Sequence, residues 1–263
     1  MPASTYRIAS LVPSVTELLV ALGVRSRLVA RTGYCIHPAE LLRDVPKVGG
    51  TKTVNLAKLR KLAPTHVVLN TDENRIETVH ALQAWPEPPH LIVTHPCAPE
   101  DVPALIDRLA RAFPLPGVSA RAAALTNELL RELERPRPDT PLRRVLYLIW
   151  REPWMTVARD TYISRLLARV NWLTLPELDG GEHGAARYPT LRGDEPWLAR
   201  VEVALLSSEP YRFDASHAAE ARALCPRAAV RLVDGEALSW YGARTAAGLR
   251  YARALAAGAE GNS

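Results

Sequence analysis

From Arg7 onward, short β-branched runs alternate with amphipathic helical patterns, a rhythm that commits the chain to βα units and a mostly parallel sheet. Residues 7–12 (RIASLV) read as a strand. Residues 13–23 (PSVTELLVALG) then read as a helix, with Ser14 and Glu17 at capping-box spacing and Gly23 suited to the left-handed C-terminal position. Further strands are expected at Arg27 to Ala30, His66 to Leu69 and His90 to Thr94, each bounded by Pro, Asn or Gly signals.

Between Pro116 and Pro136 lies a run of strong helix formers, Ser119 to Glu134, which predicts one continuous helix about 25 Å long at 1.5 Å per residue. After it the alternation resumes. Strands are expected at Arg144 to Trp150, Met155 to Ala158, Val201 to Ser207 and Ala229 to Val233. Helices are expected from Asp160 or Thr161 to Val170 and from about Arg244 to a tail fading through Gly258 to Gly261. The halves echo one another: LAPTHVVL at 62–69 and LARVEVAL at 198–205 both carry a helix end into a buried strand with apolar positions in register. The expected fold class is α/β, with two lobes, each a mainly parallel sheet flanked by helices, joined by one long backbone helix. The boundaries read as an N-terminal lobe over 1–116, the connecting helix over 117–137 and a C-terminal lobe over 138–263.

Composition removes several function classes. The 263 residues are 48% hydrophobic and 23% charged, and the net charge of +5 comes from arginines scattered among carboxylates rather than gathered into a stripe, so nucleic acid is not an expected partner. Cys35, Cys97 and Cys225 are odd in number and widely spaced, which offers neither a disulfide framework nor a CxxC motif. No apolar run approaches the roughly 20 residues of a membrane span. The first residues, MPASTYR, lack the order of charged, apolar and cleavage regions that marks an export signal, which leaves a cytoplasmic location open.

Enzyme motifs are missing too. The chain contains no GxSxG elbow, no GxxxxGK[ST] phosphate loop, no GxGxxG fingerprint and no HExxH pair. Ser207, Ser208 and Glu209 at a strand end, with His217 downstream, could supply a nucleophile and a base, but no third orienting group is evident, so an α/β hydrolase is a minor alternative. Cys35 with His37 invites a metal reading that spacing alone does not support.

A resemblance rests on several motifs in order: residues 7–18 (RIASLVPSVTEL), 33–38 (GYCIHP), 48–55 (VGGTKTVN) and 62–68 (LAPTHVV), followed by Trp154 to Val157, Asp160 to Ser164, Arg187 to Thr190, Ser207 to Tyr211 and Ser239 to Tyr241. Together they resemble the helical-backbone, class III substrate-binding proteins of ABC importers, which take cobalamin, haem and iron siderophores, and most resemble the cobalamin-binding members. The resemblance implies a cleft between two lobes, little hinge motion and a periplasmic or cell-surface location. It also implies a monomer, permease subunits as partners, no catalytic residues and no tightly bound cofactor, the ligand being cobalamin or another metal-chelate macrocycle. An intracellular corrinoid or tetrapyrrole carrier is the alternative reading.

A flat, largely apolar ligand with a polar rim calls for aromatic side chains with wet polar tips. Only 6% of residues are aromatic, yet Tyr34, Trp150, Trp154, Tyr188 and Trp240 fall at expected strand ends or loops, where α/β proteins hold ligands. The resemblance implies Tyr34, Tyr188 and Trp240 as ligand contacts, with Trp150, Trp154 and an axial His95 as further candidates. It implies Glu73 and Glu195 as carboxylates that dock on transporter arginines. Where cobalamin receptors carry more aromatics, this chain has Asn70-Thr71 and Thr94-His95, so another tetrapyrrole or a siderophore stays open.

Overall fold

The computed structural model describes residues 6–258. The chain divides into two compact units. The N-terminal unit takes its core from residues up to Pro96 and from Asp101–Leu130, with Tyr241–Ala243 added. The C-terminal unit takes Cys97–Glu100, Arg131–Trp240 and residues from Arg244 onward.

In the N-terminal unit β1 (Ile8–Ser10) leads through α1 (Pro13–Ala21) to β2 (Leu28–Arg31), and then α2 (Ala39–Leu42) and α3 (Leu56–Lys61) return the chain to β3 (His66–Asn70). Next come α4 (Ile76–Gln83), β4 (His90–Thr94), α5 (Val102–Ala112) and α6 (Val118–Glu134). The strands pair in parallel in the order β2-β1-β3-β4. Four of the five residues of β3 are buried, as an unbroken apolar run covered on both faces requires. Ala9, Leu11, Val67 and Leu69 meet Val48, Leu59 and Leu82 in one core.

The C-terminal unit repeats the plan: β5 (Arg143–Leu148), α7 (Tyr162–Ala168), β6 (Trp172–Thr174), β7 (Val203–Ser207), α8 (Ala218–Leu224), β8 (Ala229–Val233), α9 (Gly235–Ser239) and α10 (Thr245–Ala257). Its parallel sheet runs β6-β5-β7-β8, the same order of first, second, third and fourth strands. The echoed segments are the reason: Val67 and Val203 begin the buried stretches of β3 and β7, the third strand of each sheet.

Helix α6 spans 17 residues. It starts beyond Gly117, whose φ of +80° ends the preceding turn, and stops before Pro136. Its residues to Leu130 belong to the first unit and the last four to the second.

Two local expectations fail. Helix α1 begins at Pro13 with Val12 as its cap and no side-chain cap bond, so Ser14 lies inside the first turn, buried, its hydroxyl without a hydrogen-bond partner. The proline, lacking an N–H and fixed near helical φ, sets the start in place of a capping box. Gly23 does take the left-handed position, at φ +83°. Residues Met155 to Ala158 do not form a strand: only Met155 bridges, antiparallel, to Trp150 and Thr190. β5 is already paired on both sides, by β6 and β7, and has no free edge to offer. Of the expected C-terminal tail, everything beyond Gly258 lies outside the described residues.

Helices α9 and α10 approach closely because of Gly248, where an added Cβ would stand 2.2 Å from the Ala237 carbonyl oxygen. Gly248→Ala should therefore lower stability by about 1 to 3 kcal/mol, despite alanine's better helix propensity, as measured by urea denaturation. An unchanged or raised midpoint would show that the two helices can separate freely.

Candidate functional site

In an open parallel sheet, ligands gather outside the carboxyl ends of the strands, where successive crossovers run in opposite directions. Both sheets have that switch point between their first and third strands, β1 and β3 in one, β5 and β7 in the other.

At this edge of the N-terminal unit, Tyr34 follows β2 and is 64% exposed. Its ring lies over Gly50, where a Cβ would come within 3.2 Å of the ring, and the Gly33 N–H donates to the Gly49 carbonyl at 2.7 Å. The double glycine is thus a turn that makes room for an aromatic ring. Next to it Cys35 is fully buried, its thiol sharing a 3.1 Å hydrogen bond with the Thr32 hydroxyl and pushed up in pKa by burial. Such a thiol is inert as a metal ligand.

The turn after β3 is locked by two buried asparagines. Asn70 accepts from the N–H groups of Asp72 and Glu73 and donates to the Thr94 carbonyl, while Asn74 accepts from the Asn70 N–H and donates to the carbonyls of Leu11 and Thr51. Asn70 thereby ties the ends of β3 and β4 together. His95, just past β4, places Nε2 at 3.4 Å from Asp72 Oδ2. Lys52 donates to the Asp72 carbonyl at 2.5 Å; half burial pulls its ammonium down in pKa, partly offset by Glu73 and Asp72. Glu73 is half-buried and accepts from the Tyr241 hydroxyl at 3.5 Å.

At the corresponding edge of the C-terminal unit, Trp150 follows β5 and is 41% exposed, its ring edge-on to Tyr211 at 5.7 Å. Trp154 is half-buried and stacks on Phe213 at 5.8 Å and 5° against the core. Tyr188 is half-buried in a loop anchored by its neighbour Arg187. That arginine is 1% exposed, donates to the Gly181 carbonyl at 2.7 Å, lies 3.5 Å from Asp160 Oδ2 and reaches the Cys97 sulfur at 3.5 Å. Asp160 in turn accepts the Gly180 N–H.

Trp240 is only 6% exposed. Its indole N–H and the Ser239 hydroxyl both donate to one oxygen of Glu209 at 2.6 Å, and the Arg244 guanidinium sits 5.0 Å from its ring centre. Glu195 accepts from the Arg192 and Gly193 N–H groups at 2.7 and 2.9 Å. Burial raises its pKa, but these bonds and the Arg192 charge outweigh that and leave it lowered.

The suggested hydrolase pair does not form. Ser207 shares its hydroxyl with Tyr147 at 2.9 Å and donates to the Glu209 carbonyl, whereas His217 engages Asp214 and Tyr211. Among the described residues no group of three or more His, Cys, Asp and Glu could hold a bare metal ion. The sequence did not reveal the partners of Asp72, Arg187 and Glu209, which lie far along the chain, or the Tyr211 to His217 contact, which joins two loop positions six residues apart.

Two matching α/β units that each present aromatic and polar groups at the switch-point edge of a parallel sheet define a protein built to bind a small molecule. The family model described as periplasmic binding protein matches residues 8–173. The chain belongs to that family, whose members are binding proteins and not enzymes. The vitamin B12-binding protein of Photorhabdus laumondii is 24% identical over 166 residues, 63% of this chain and 59% of that protein, so the match spans less than two thirds of the relative's length. Among solved structures, the periplasmic vitamin B12-binding protein BtuF of Vibrio cholerae aligns with a TM-score of 0.75 at 19% identity over 97% of this chain and 98% of that one. The periplasmic haem-binding protein HutB of Vibrio cholerae aligns at 0.75 and 20% over 96% and 99%, and a periplasmic haem-binding protein of Pseudomonas aeruginosa at 0.77 and 21% over 95% and 92%. These likenesses show the fold: two parallel-sheet domains flanked by helices.

Burial raises the pKa of the Glu209 carboxyl above its ordinary value of 4.5; the Ser239 and Trp240 bonds pull it back, and Glu236 and Asp234 push it further up. An acid whose folded pKa lies above its unfolded one favours folding below the unfolded value and loses that advantage as pH rises through the folded value. Glu209→Gln keeps the acceptor and removes the titration. The variant should match wild type near pH 4 and become the more stable of the two as pH rises towards about 8, measured by denaturant unfolding at each pH. A constant difference across that range would assign Glu209 an ordinary pKa.

Proposed function

We propose that this protein captures a metal-chelate macrocycle of the cobalamin or haem kind and hands it to the permease subunits of an ABC importer as a monomeric, non-catalytic receptor outside the cytoplasmic membrane. One observation carries the reading: Tyr34 and Trp150, the aromatic rings most open to solvent among the described residues, both stand just beyond the carboxyl ends of strands, each beside a buried residue, Cys35 and Ile149. Exposed rings on rigid supports lose little entropy when a flat apolar face lies against them. The family and the relatives named for vitamin B12 and haem binding support the same reading.

In this reading Tyr34, Trp150 and Tyr188 make the apolar contacts, and Trp154 and Trp240 hold the loops that carry them. His95, oriented by Asp72, offers a polar or axial contact. Glu73 and Glu195 are the docking carboxylates, and both carry existing partners that a transporter arginine would join or displace.

The test is direct titration of the purified chain with cyanocobalamin, ferric protoporphyrin IX and a ferric siderophore, followed by tryptophan quenching and calorimetry. At least one should bind with a dissociation constant of about 1 μM or tighter, roughly 8 kcal/mol. Tyr34→Ala and Trp150→Ala should each weaken it by about tenfold or more. Binding by none of the three would sink the proposal. In reconstituted transport, Glu73→Arg and Glu195→Arg should slow uptake with ligand affinity intact; normal uptake by both variants would remove them as docking groups.

A further inference from the structure

At the amino ends of β3 and β4, away from the turns that follow these strands, two histidines stand side by side. His66 and His90 are the first residues of adjacent parallel strands and are paired in register, so their side chains leave the same face of the sheet. Their ring centres are 5.4 Å apart and the rings are inclined at 64°. His66 is half-buried against Phe113 and Tyr6, at 5.3 and 5.4 Å, whereas His90 is exposed. The backbone beneath them is fixed. The His90 N–H donates to the Thr65 carbonyl at 2.8 Å, and the Thr65 and His66 N–H groups both donate to the Arg7 carbonyl, at 2.9 and 3.2 Å.

The Thr65 hydroxyl decides which nitrogen of His66 is open. Its oxygen accepts the Arg7 N–H at 2.9 Å, lies 3.4 Å from the Arg7 carbonyl and 2.9 Å from His66 Nδ1. A hydroxyl has one hydrogen, so all three contacts hold together only if that hydrogen goes to the Arg7 carbonyl and the Nδ1–H donates to the threonine oxygen. Nε2 then carries the lone pair. A histidine that binds a metal is oriented in this way, one ring nitrogen donating to a neighbour and the other left for the ion. The Arg7 guanidinium is engaged elsewhere, by the Leu62 and Ala63 carbonyls.

We infer that His66 and His90 form a binding site for a divalent transition-metal cation of the zinc kind at the amino edge of the N-terminal sheet. Neutral imidazole suits such an ion, whereas hard cations such as magnesium take oxygen ligands. With metal–nitrogen bonds of about 2.0–2.1 Å, two imidazoles at a tetrahedral angle place their ring centres about 5 Å apart, so the observed spacing needs little adjustment. No group of three or more His, Cys, Asp and Glu suited to a metal is gathered among the described residues, so water completes the shell and the ion exchanges readily. The ion gives up two waters to the imidazoles and no electron changes hands. By joining the starts of β3 and β4 it favours the folded N-terminal unit. Thr65 is a positioning residue, since it acts through His66. The site is independent of the macrocycle reading.

The experiment titrates the purified chain with Zn²⁺ and, separately, Mg²⁺ by calorimetry, and follows the histidine ring nitrogens by NMR. Zinc should bind wild type with a dissociation constant of about 100 μM or tighter, and magnesium should give no heat. His90→Gln and Thr65→Val should each weaken zinc binding by about tenfold or more, and Thr65→Ser should restore it. Zinc should shift the Nε2 resonance of His66 while its Nδ1 keeps the proton. His90 is exposed, so His90→Gln should keep the metal-free unfolding midpoint, and zinc should raise that midpoint more in wild type than in the variant. Equal zinc affinity in wild type and His90→Gln would overturn the site, as would zinc shifts confined to the rest of the chain's seven histidines or the absence of saturable zinc binding.

Discussion

Parallel strand pairing is the constraint from which the rest follows. A parallel neighbour can be reached only by carrying the chain back along the sheet, so each of the first three strands of either sheet is followed by a long crossover, and the strands' carboxyl ends open into loops on one edge. The order second-first-third-fourth in each sheet then sends the crossovers apart between β1 and β3 and between β5 and β7. Chemistry that arises anywhere in the sequence at a strand end is delivered to one of two edges. Tyr34, Asp72, Glu73 and His95 are spread over 62 positions and still share the edge of one sheet; Trp150, Glu209 and Tyr211 share the other.

Apolar packing reaches the loops at those edges, as where Trp154 stacks on Phe213 against the core, but it is not directional. The loops are fixed in addition by buried polar groups that bond across the chain: Asn70 and Asn74 in one unit, Arg187 with Asp160 and Glu209 with Trp240 in the other. A buried amide or charge adds little net stability when satisfied, but costs about 1 to 3 kcal/mol or more when a partner is lost. The effect is specificity more than strength, because any loop conformation that breaks these bonds strands a buried polar atom. Trp240 shows the arrangement: its indole N–H donates to Glu209 and the Arg244 guanidinium sits by its ring, which ties the loop after α9 to the loop after β7.

What could be read from residues alone divides along the same line. β3, β7, the long helix α6 and the exposed position of Tyr34 follow from short-range pattern: apolar runs, helix formers between prolines, an aromatic beside a double glycine. The start of α1 and the missing strand at Met155 depended on competition. Proline at the first helical position takes the place of a plausible cap, and β5, flanked by β6 and β7, has no edge left for Met155. The partners of Arg187 and Glu209 were illegible because they lie about 30 to 90 positions away and no local rule names them.

The two edges differ in chemistry. The N-terminal edge is dense in polar groups: Lys52 donates to the Asp72 carbonyl, His95 meets the Asp72 carboxylate and Glu73 accepts from the Tyr241 hydroxyl. The C-terminal edge is dense in rings, with Trp150, Trp154, Tyr211, Phe213 and His217 in mutual contact. The difference follows from what fills the turns after the strands: buried asparagines, Asn70 and Asn74, tie the turn after β3 to neighbouring backbone, whereas the turn after β7 packs Tyr211 and His217 around Phe213.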